Sequence, residues 1–430
     1  MKKGSIAFLL LVVFAGSGFA KDISFKWGII ERLRQEYLKN WKDMENSTGE
    51  NDNYFRIRTS IWGKLDFDSQ FSVYAKLTNE FKPYVTPSKR GDIHELVFDN
   101  LYVDLKNIFD SPWSLRIGRQ NIIYGEGFLF IDGTPLDGSR TIYYNAIKAT
   151  FARDKLRIDF LGVDSPRQDE YFPIVNNRNK NLVEAKERGI GYYAQYDINE
   201  NWHLEQYYFY KTEKNYKKIK KGVVIETFQK TKLNTIGGRI VYKNSPWRIR
   251  SELAYQFGDY GTNDREGLGG YGFVDYTLQD VKFTPTVTIG GVYLSGDDPS
   301  TSDNESWDPL FSRWPYKSEL YCYILSMEKS IAYWANMQLY KLGLNLKPTE
   351  KDSLDLAYMY LRANENTYAS QPAFSNDGKE RGHILQLIWK HTFNKNLSGH
   401  IQIEYFHPGD YYVDTADDAL FLRWQLLYKF

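Results

Sequence analysis

Few residues of this chain stand in arrangements that make or break covalent bonds. G-x-S-x-G, H-E-x-x-H and the phosphate-binding P-loop are absent, and the six histidines are scattered singly. Acidic residues do cluster: Asp297, Asp298, Asp303, Glu305 and Asp308 in one stretch, Asp410, Asp414, Asp417 and Asp418 in another. Carboxylates at this density could hold calcium, but the spacing matches no EF-hand and solvated loop tips explain them more simply. We therefore expect no metal and no cofactor. The residues that recur by rule are basic. In the segment around residue 60, Phe55, Ile57, Ile61, Leu65 and Phe67 share one parity, leaving Arg56, Arg58, Ser60, Lys64 and Asp66 on the other. Taking the parity opposite the apolar one in other segments adds Arg32, Arg34, Lys76, Arg116, Lys148, Arg157, Arg239, Arg248, Arg250, Lys390 and Arg423, against Glu36, Glu80, Asp104, Asp159, Glu252 and Glu404. A face with a basic excess guides anions through charge-assisted hydrogen bonds and does no covalent chemistry. The plainer alternative is that each arginine pairs with a neighbouring acid and water.

Alternation with period two marks β-strands. Such segments begin near residues 24, 53, 70, 95, 113, 141, 155, 189, 202, 232, 246, 270, 286, 334, 353, 382, 397 and 419, about eighteen in all. Short turns fall at Asp68-Ser69, 107–112, Arg153-Asp154, 199–201, 244–246, Thr284-Pro285, 347–352 and 394–396, and every other connection is expected to run to about ten to forty residues. That rhythm predicts an all-β fold: a closed, antiparallel transmembrane β-barrel with short periplasmic turns and long extracellular loops. No apolar run is long enough for a membrane helix, and the mean hydropathy is -0.54. Yet 17% of the residues are aromatic, as the two interfacial girdles of a barrel require. The last segment, with Leu420, Leu422, Trp424, Leu426, Tyr428 and Phe430 on one face, would be a hazardous open edge unless the sheet closes. Two stretches fit the pattern less well. The segment 320–330 could be a nineteenth strand or a short helix and is counted as loop because that keeps the strand number even, and the lysine-rich run 211–221 reads as a solvated loop or strand extension.

The stretch 115–151 is a hairpin whose two arms are joined by about twenty residues, with turn pairs at Asp132-Gly133 and Asp137-Gly138. Its wording, GRQ, YGEGFLF, DGTPLDGSR and then A-x-K-A-x-F, resembles the alginate export family of outer-membrane β-barrels. The run LFSRWPYKSELYCYILSMEKSIAYWA at 310–335, followed by Asn336 and G-L-x-L-x-P, is similar to the same family. The resemblance implies an 18-stranded exporter of anionic polysaccharide. It also bears on Arg119, which strict alternation from Leu115 and Ile117 points at lipid, where a mid-plane arginine costs roughly 2 to 4 kcal/mol. A bulge at Gly118 would turn Arg119 into the lumen with the other cations, and the resemblance favours that arrangement. The loop 121–140 is the third extracellular connection, where general porins fold a loop inward. Phe128, Leu129, Phe130 and Ile131 are too apolar for a solvated tip, so a constriction built from Gly125, Glu126, Phe128, Phe130, Asp132, Asp137 and Arg140 is expected inside the barrel.

The first residues carry Lys2, Lys3, an apolar run and Gly18-Phe19-Ala20, a signal peptide over 1–20 that leaves one barrel domain over 21–430. A single cysteine, Cys322, allows no internal disulfide, and a net charge of +1 argues against nucleic acid. The expected partners are outer-membrane lipid, an anionic polysaccharide or small anionic solute, and the outer-membrane assembly machinery through Phe430, which resembles the terminal assembly signal of such barrels. The chain reads as a passive channel rather than an enzyme. A general or small-solute porin is the nearest alternative, and an outer-membrane enzyme is the alternative from another class. Aromatic residues of lumen parity, among them Trp62, Tyr74, Tyr102 and Tyr144, could stack on sugar rings or merely fill the wall.

Overall fold

In the computed structural model the alternating segments become eighteen long antiparallel strands closed into one barrel. The structure describes residues 23–49, 51–88, 92–131, 144–175, 181–220, 223–313, 317–369 and 371–430. The first six strands are β1 (Ser24–Lys39), β2 (Asp52–Asp66), β3 (Phe71–Lys82), β4 (Asp92–Leu105), β5 (Trp113–Gln120) and β6 (Tyr144–Arg153). Next come β7 (Leu156–Ser165), β8 (Glu187–Asp197), β9 (Trp202–Glu213), β10 (Thr231–Asn244), β11 (Trp247–Tyr260) and β12 (Asn263–Thr277). The last six are β13 (Thr286–Leu294), β14 (Met337–Thr349), β15 (Asp352–Arg362), β16 (Glu380–Thr392), β17 (Leu397–Pro408) and β18 (Ala419–Lys429). β18 returns to β1, with Ile30 opposite Lys429 and Lys39 opposite Leu420, so the apolar edge expected to be hazardous is paired. Ile29 and Phe430 extend that seam by exchanging backbone hydrogen bonds of 2.9 and 3.2 Å.

The two faces of the wall are inverted relative to a water-soluble protein. Ile61, Ile117, Ile147, Ile190, Leu253 and Ile289 stand exposed outside, while Arg56, Glu80, Asp159, Glu252 and Glu404 are buried inside. Short connections hold one end together. Asp68, Asn199 and Asn394 each accept two backbone N–H bonds from the residues two and three places on, the side-chain turn that Asx residues favour. Trp113, Trp202 and Trp247 start strands at this turn end, and each packs on a ring of the neighbouring strand, at 5.3 Å from Phe151, 4.6 Å from Tyr242 and 4.5 Å from Tyr276. They form the aromatic girdle expected at a lipid interface.

Strand starts fall within three residues of expectation except at β12, which begins at Asn263 rather than near 270. Its connection to β11 is only Gly261-Thr262, against the long loop expected there. Gly267 and Gly269 fall in that expected loop but are strand. A Cβ at Gly269 would come within 2.6 Å of the Trp307 ring, so this glycine makes room for a side chain packed inside the barrel. One further expectation needs correction in part. Lys211 lies in the extension of β9 rather than in a solvated loop: it is buried, with Nζ 3.0 Å from Asp308, 3.2 Å from Glu187 and 3.4 Å from Glu213. Beyond it Tyr216–Lys220 pairs with Val223–Phe228 in a hairpin outside the barrel sheet. Of the readings open for 320–330, the short helix holds at its start, where helix α1 (Glu319–Ile324) is buried within the barrel. The expected signal peptide lies outside the described residues.

Candidate functional site

After Gln120 the chain leaves β5 and folds into the lumen. Ile122, Tyr124, Phe128, Leu129, Phe130 and Ile131 are all buried. Gly125 and Gly127 make the bend at φ +54 and +81, and a Cβ on Gly125 would press within 3.0 Å of the Arg239 side chain. Each wall contact of this loop uses different chemistry. Tyr124 stacks on Tyr193 with centroids 4.1 Å apart and donates to Asp159 at 3.0 Å. Glu126 accepts from Arg250 at 2.8 Å, with Arg239 and Arg248 each 3.8 Å away. Burial alone would raise its pKa, but Arg250 and its basic neighbours hold that carboxyl below the usual range. Of the expected constriction, Asp132, Asp137 and Arg140 lie outside the described residues.

A second inward element went unrecognised in the sequence. The connection from β13 to β14 also enters the barrel and interlocks with the first. Phe311 stacks on Phe130 at 4.7 Å, its N–H donates to the Leu129 carbonyl at 3.0 Å, and Trp307 stacks on Phe128 at 5.0 Å. Asp308, which receives the buried Lys211, lies on this element. So does α1, whose first N–H groups, on Glu319 and Leu320, donate to the Glu404 carboxylate of β17 at 3.1 and 3.0 Å. The signal was present: Trp307, Leu310, Phe311 and 320–325 are as apolar as the loop tip that was recognised.

The parity-derived cations all lie along the wall, in two environments. Those deep under the inward loops are desolvated and shared out among few acids. Glu36 meets Arg34 at 3.1 Å, Arg423 at 2.5 Å and Arg56 at 3.6 Å; Glu80 meets Arg32 and Arg56 at 3.0 Å each. Arg58 at 3.6 Å and Lys76 both pair with Asp99, and Arg239 reaches Glu205 at 3.0 Å. Among the described residues of β1 to β7, eight cations (Arg32, Arg34, Arg56, Arg58, Lys76, Arg116, Lys148, Arg157) share five carboxylates (Glu36, Glu80, Asp99, Asp104, Asp159), beside a separate Lys64–Asp66 pair on β2. Toward the turn end the cations open to the lumen. Arg116, Arg157, Arg248 and Lys390 have side chains 31%, 46%, 47% and 58% exposed, against 2% for Arg56 and Arg423. Arg250 lies between, bridging Glu126 and Asp275. Tyr144 is wall filling: it is buried and donates to the Ile131 carbonyl at 2.9 Å.

Arg119 overturns the expected bulge. The register runs without a shift through Gly118, placing Arg119 opposite Leu101 and Asn145, on the same outer face as Ile117 and Ile147. What removes the lipid penalty is a cover. Asp169 lies 2.8 Å from the guanidinium, the Phe172 ring is 4.4 Å away, and the Phe98 carbonyl accepts at 2.8 Å, so the charge is fully buried at the rim.

With this geometry in view, comparison with known proteins decides the family. The alginate export family's profile matches residues 25–424. The chain belongs to the alginate export family. No curated protein matches it in sequence. Among solved structures this alginate export family member is similar to Acinetobacter baumannii OccAB1, at 10% identity and a TM-score of 0.60, covering 97% of this chain and 98% of that one. Pseudomonas aeruginosa OccD3 aligns at 11% identity and a TM-score of 0.55 over 96% and 95%. Pseudomonas aeruginosa OccK2, in a structure described as a complex with glucuronate, aligns at 11% identity and 0.58 over 96% and 99%. These likenesses bear on the fold. With the family they place the chain in the bacterial outer membrane as a channel, so the short turns face the periplasm and the long loops the exterior. Family and fold are those of channels rather than enzymes.

Proposed function

We propose that this channel carries acidic saccharides, molecules whose carboxylates are drawn along a basic wall. One observation carries the reading: among the described residues of β1 to β7 the inward cations outnumber the acids that face them, so Glu36, Glu80, Asp99 and Asp159 are each shared by two or more basic side chains. In a narrow, low-dielectric passage such an excess concentrates anions. Membership of the alginate export family favours a polymeric cargo moving outward. A second reading, short acidic sugars, is favoured by the two inward loops, which pack the outer half of the lumen against each other and would have to shift for a polymer to thread. Glucuronate in the OccK2 structure is in keeping with this size class.

The test replaces open cations, because Arg56 and Arg58 are too deeply paired for a clean charge reversal. Arg248→Glu with Lys390→Glu changes the lumen charge by about four units on two inward-facing positions that are half-exposed. In planar bilayers under a salt gradient the wild-type reversal potential should indicate anion preference, and the double variant should move toward cations. A cation-selective wild type would sink the reading.

A further inference from the structure

We propose that the periplasmic half of the lumen wall carries a binding subsite for a hexuronate unit, with Arg116 and Lys148 meeting its carboxylate and Tyr74 and Tyr102 its hydroxyls. This rests on the reading of the channel as a path for acidic sugars and assigns that path a place of recognition.

The subsite is built across five neighbouring strands. Trp62 of β2, Tyr74 of β3 and Tyr102 of β4 form one continuous stack, with centroids 6.1 and 5.0 Å apart and ring planes within 22° and 19° of parallel. The Arg116 guanidinium of β5 caps it 4.0 Å from the Tyr102 ring, and Lys148 of β6 stands directly opposite Arg116 in the register. Stacked rings cover one another's faces, so the row offers hydroxyls on a stiff frame. The Tyr74 and Tyr102 hydroxyls have no hydrogen-bond partner among the described residues, and both side chains are partly open to the lumen. Another tyrosine ladder of the barrel shows the contrast. Tyr124, Tyr193 and Tyr207 stack as closely, but Asp159, Glu205 and Glu252 take all three hydroxyls, leaving that ladder nothing to offer a ligand.

The cations make the same point independently. Two like charges directly opposite on adjacent strands destabilise a sheet unless something lies between or beside them. Asp104 engages Arg116 through Nε and Nη2 at 2.6 and 2.8 Å, which leaves Nη1 without a partner among the described residues. Asp159 cannot neutralise Lys148 well. Its oxygens already accept from Thr150 at 2.6 Å and Tyr124 at 3.0 Å and pair with Arg157 at 3.0 Å, while the Lys148 ammonium is 3.9 Å away and makes no hydrogen bond among the described residues. A free guanidinium edge and a loosely held ammonium facing each other are a receptor for one carboxylate. Unpartnered phenols beside them suit a polyhydroxylated carboxylate better than a bare one.

The experiment uses the full-length barrel in detergent, with glucuronate as probe and glucose and acetate as comparators, by titration calorimetry. Wild type should bind glucuronate more tightly than either comparator. Arg116→Gln with Lys148→Gln should weaken glucuronate by about tenfold or more, the worth of one lost charge-assisted bond. Tyr74→Phe with Tyr102→Phe should weaken glucuronate several-fold and leave acetate unchanged. Heat-modifiable migration confirms assembly of each variant. Should the charge variant fail to assemble, the phenylalanine pair, which alters no charge, decides alone. Wild-type affinity for glucuronate in the assembled charge variant, or a phenylalanine pair that binds as wild type does, overturns the subsite. Salt-gradient measurements on the same wild-type preparation separate the two levels: retained anion preference means that only the subsite falls, and its loss means that the acidic-sugar reading falls too.

Discussion

Replacing Phe130 by alanine should open the channel without unfolding it. Phe130 is fully buried and sits where both inward loops meet the wall, with ring centroids 4.7 Å from Phe311, 4.8 Å from Phe209, 5.6 Å from Tyr144 and 5.8 Å from Tyr124. Phe311 belongs to the second loop, and Phe209 and Tyr144 to strands β9 and β6, so one ring joins three bodies. Cutting a core phenylalanine to alanine costs roughly 3 to 5 kcal/mol. That penalty falls on docking of the loops, because the strand ladders that close the barrel do not run through Phe130. A cost of this size lowers the ratio of docked to released loop by roughly a hundredfold to a few thousandfold. The Glu126 contact with Arg250 at 2.8 Å and the Ser312 bond to the Gly127 carbonyl at 2.6 Å remain, so release should be intermittent rather than complete. Single-channel recording should show larger conductance with frequent partial closures, while heat-modifiable migration stays as in wild type. Phe160→Ala, on the exposed outer face, is the control and should conduct normally. An assembled Phe130→Ala barrel with steady wild-type conductance would refute the claim that these loops limit flow.

Two further outcomes follow from the wall. Epitope tags at Gly49, Thr262 or Asp377, on long-loop connections and at the β11–β12 turn, should bind antibody on intact cells, whereas tags at Asp154 or Lys395 should not; labelling of the second pair would reverse the assigned orientation. Asp169→Asn should destabilise the barrel by about 3 to 5 kcal/mol, because it leaves the buried Arg119 guanidinium facing a neutral amide. Denaturant unfolding in detergent measures this, the double replacement Arg119→Met with Asp169→Leu should lose less, and a single variant as stable as wild type would show that the cover does not need its charge.

How far the sequence carried the reading depends on which force dominates at each place. Strand number, register and the inward cations were legible because lipid and lumen impose opposite demands on alternate residues, and a slip of one would expose every charge. The glycines of β12 misled, because their reason for being there is Trp307, a residue far along the chain that only the folded barrel brings beside Gly269. Arg119 misled for a related reason. Parity placed it correctly on the outer face, but its neutralisation comes from Asp169 in a connection whose path alternation does not describe. The second inward loop could have been read. The argument that apolar tips do not stand in water applies to Phe311 and 320–325 as well as to Phe130.

Parity also could not separate the cations that support from those that touch cargo. Burying a charge costs several kcal/mol unless a partner stands beside it, so Arg56 and Arg423, almost fully desolvated under the loops, must hold their carboxylates and are not free to exchange them for a passing anion. Their contribution is the field. A shared carboxylate leaves residual positive charge, and beneath packed protein that charge is screened less than the roughly 8 Å Debye length of physiological salt would suggest. On the proposed reading, contact falls instead to Arg116, Arg157, Arg248 and Lys390, which solvent reaches. On that reading an anion arriving from the periplasm meets exchangeable donors first and the fixed field behind them, whereas one arriving from outside meets the packed loops first.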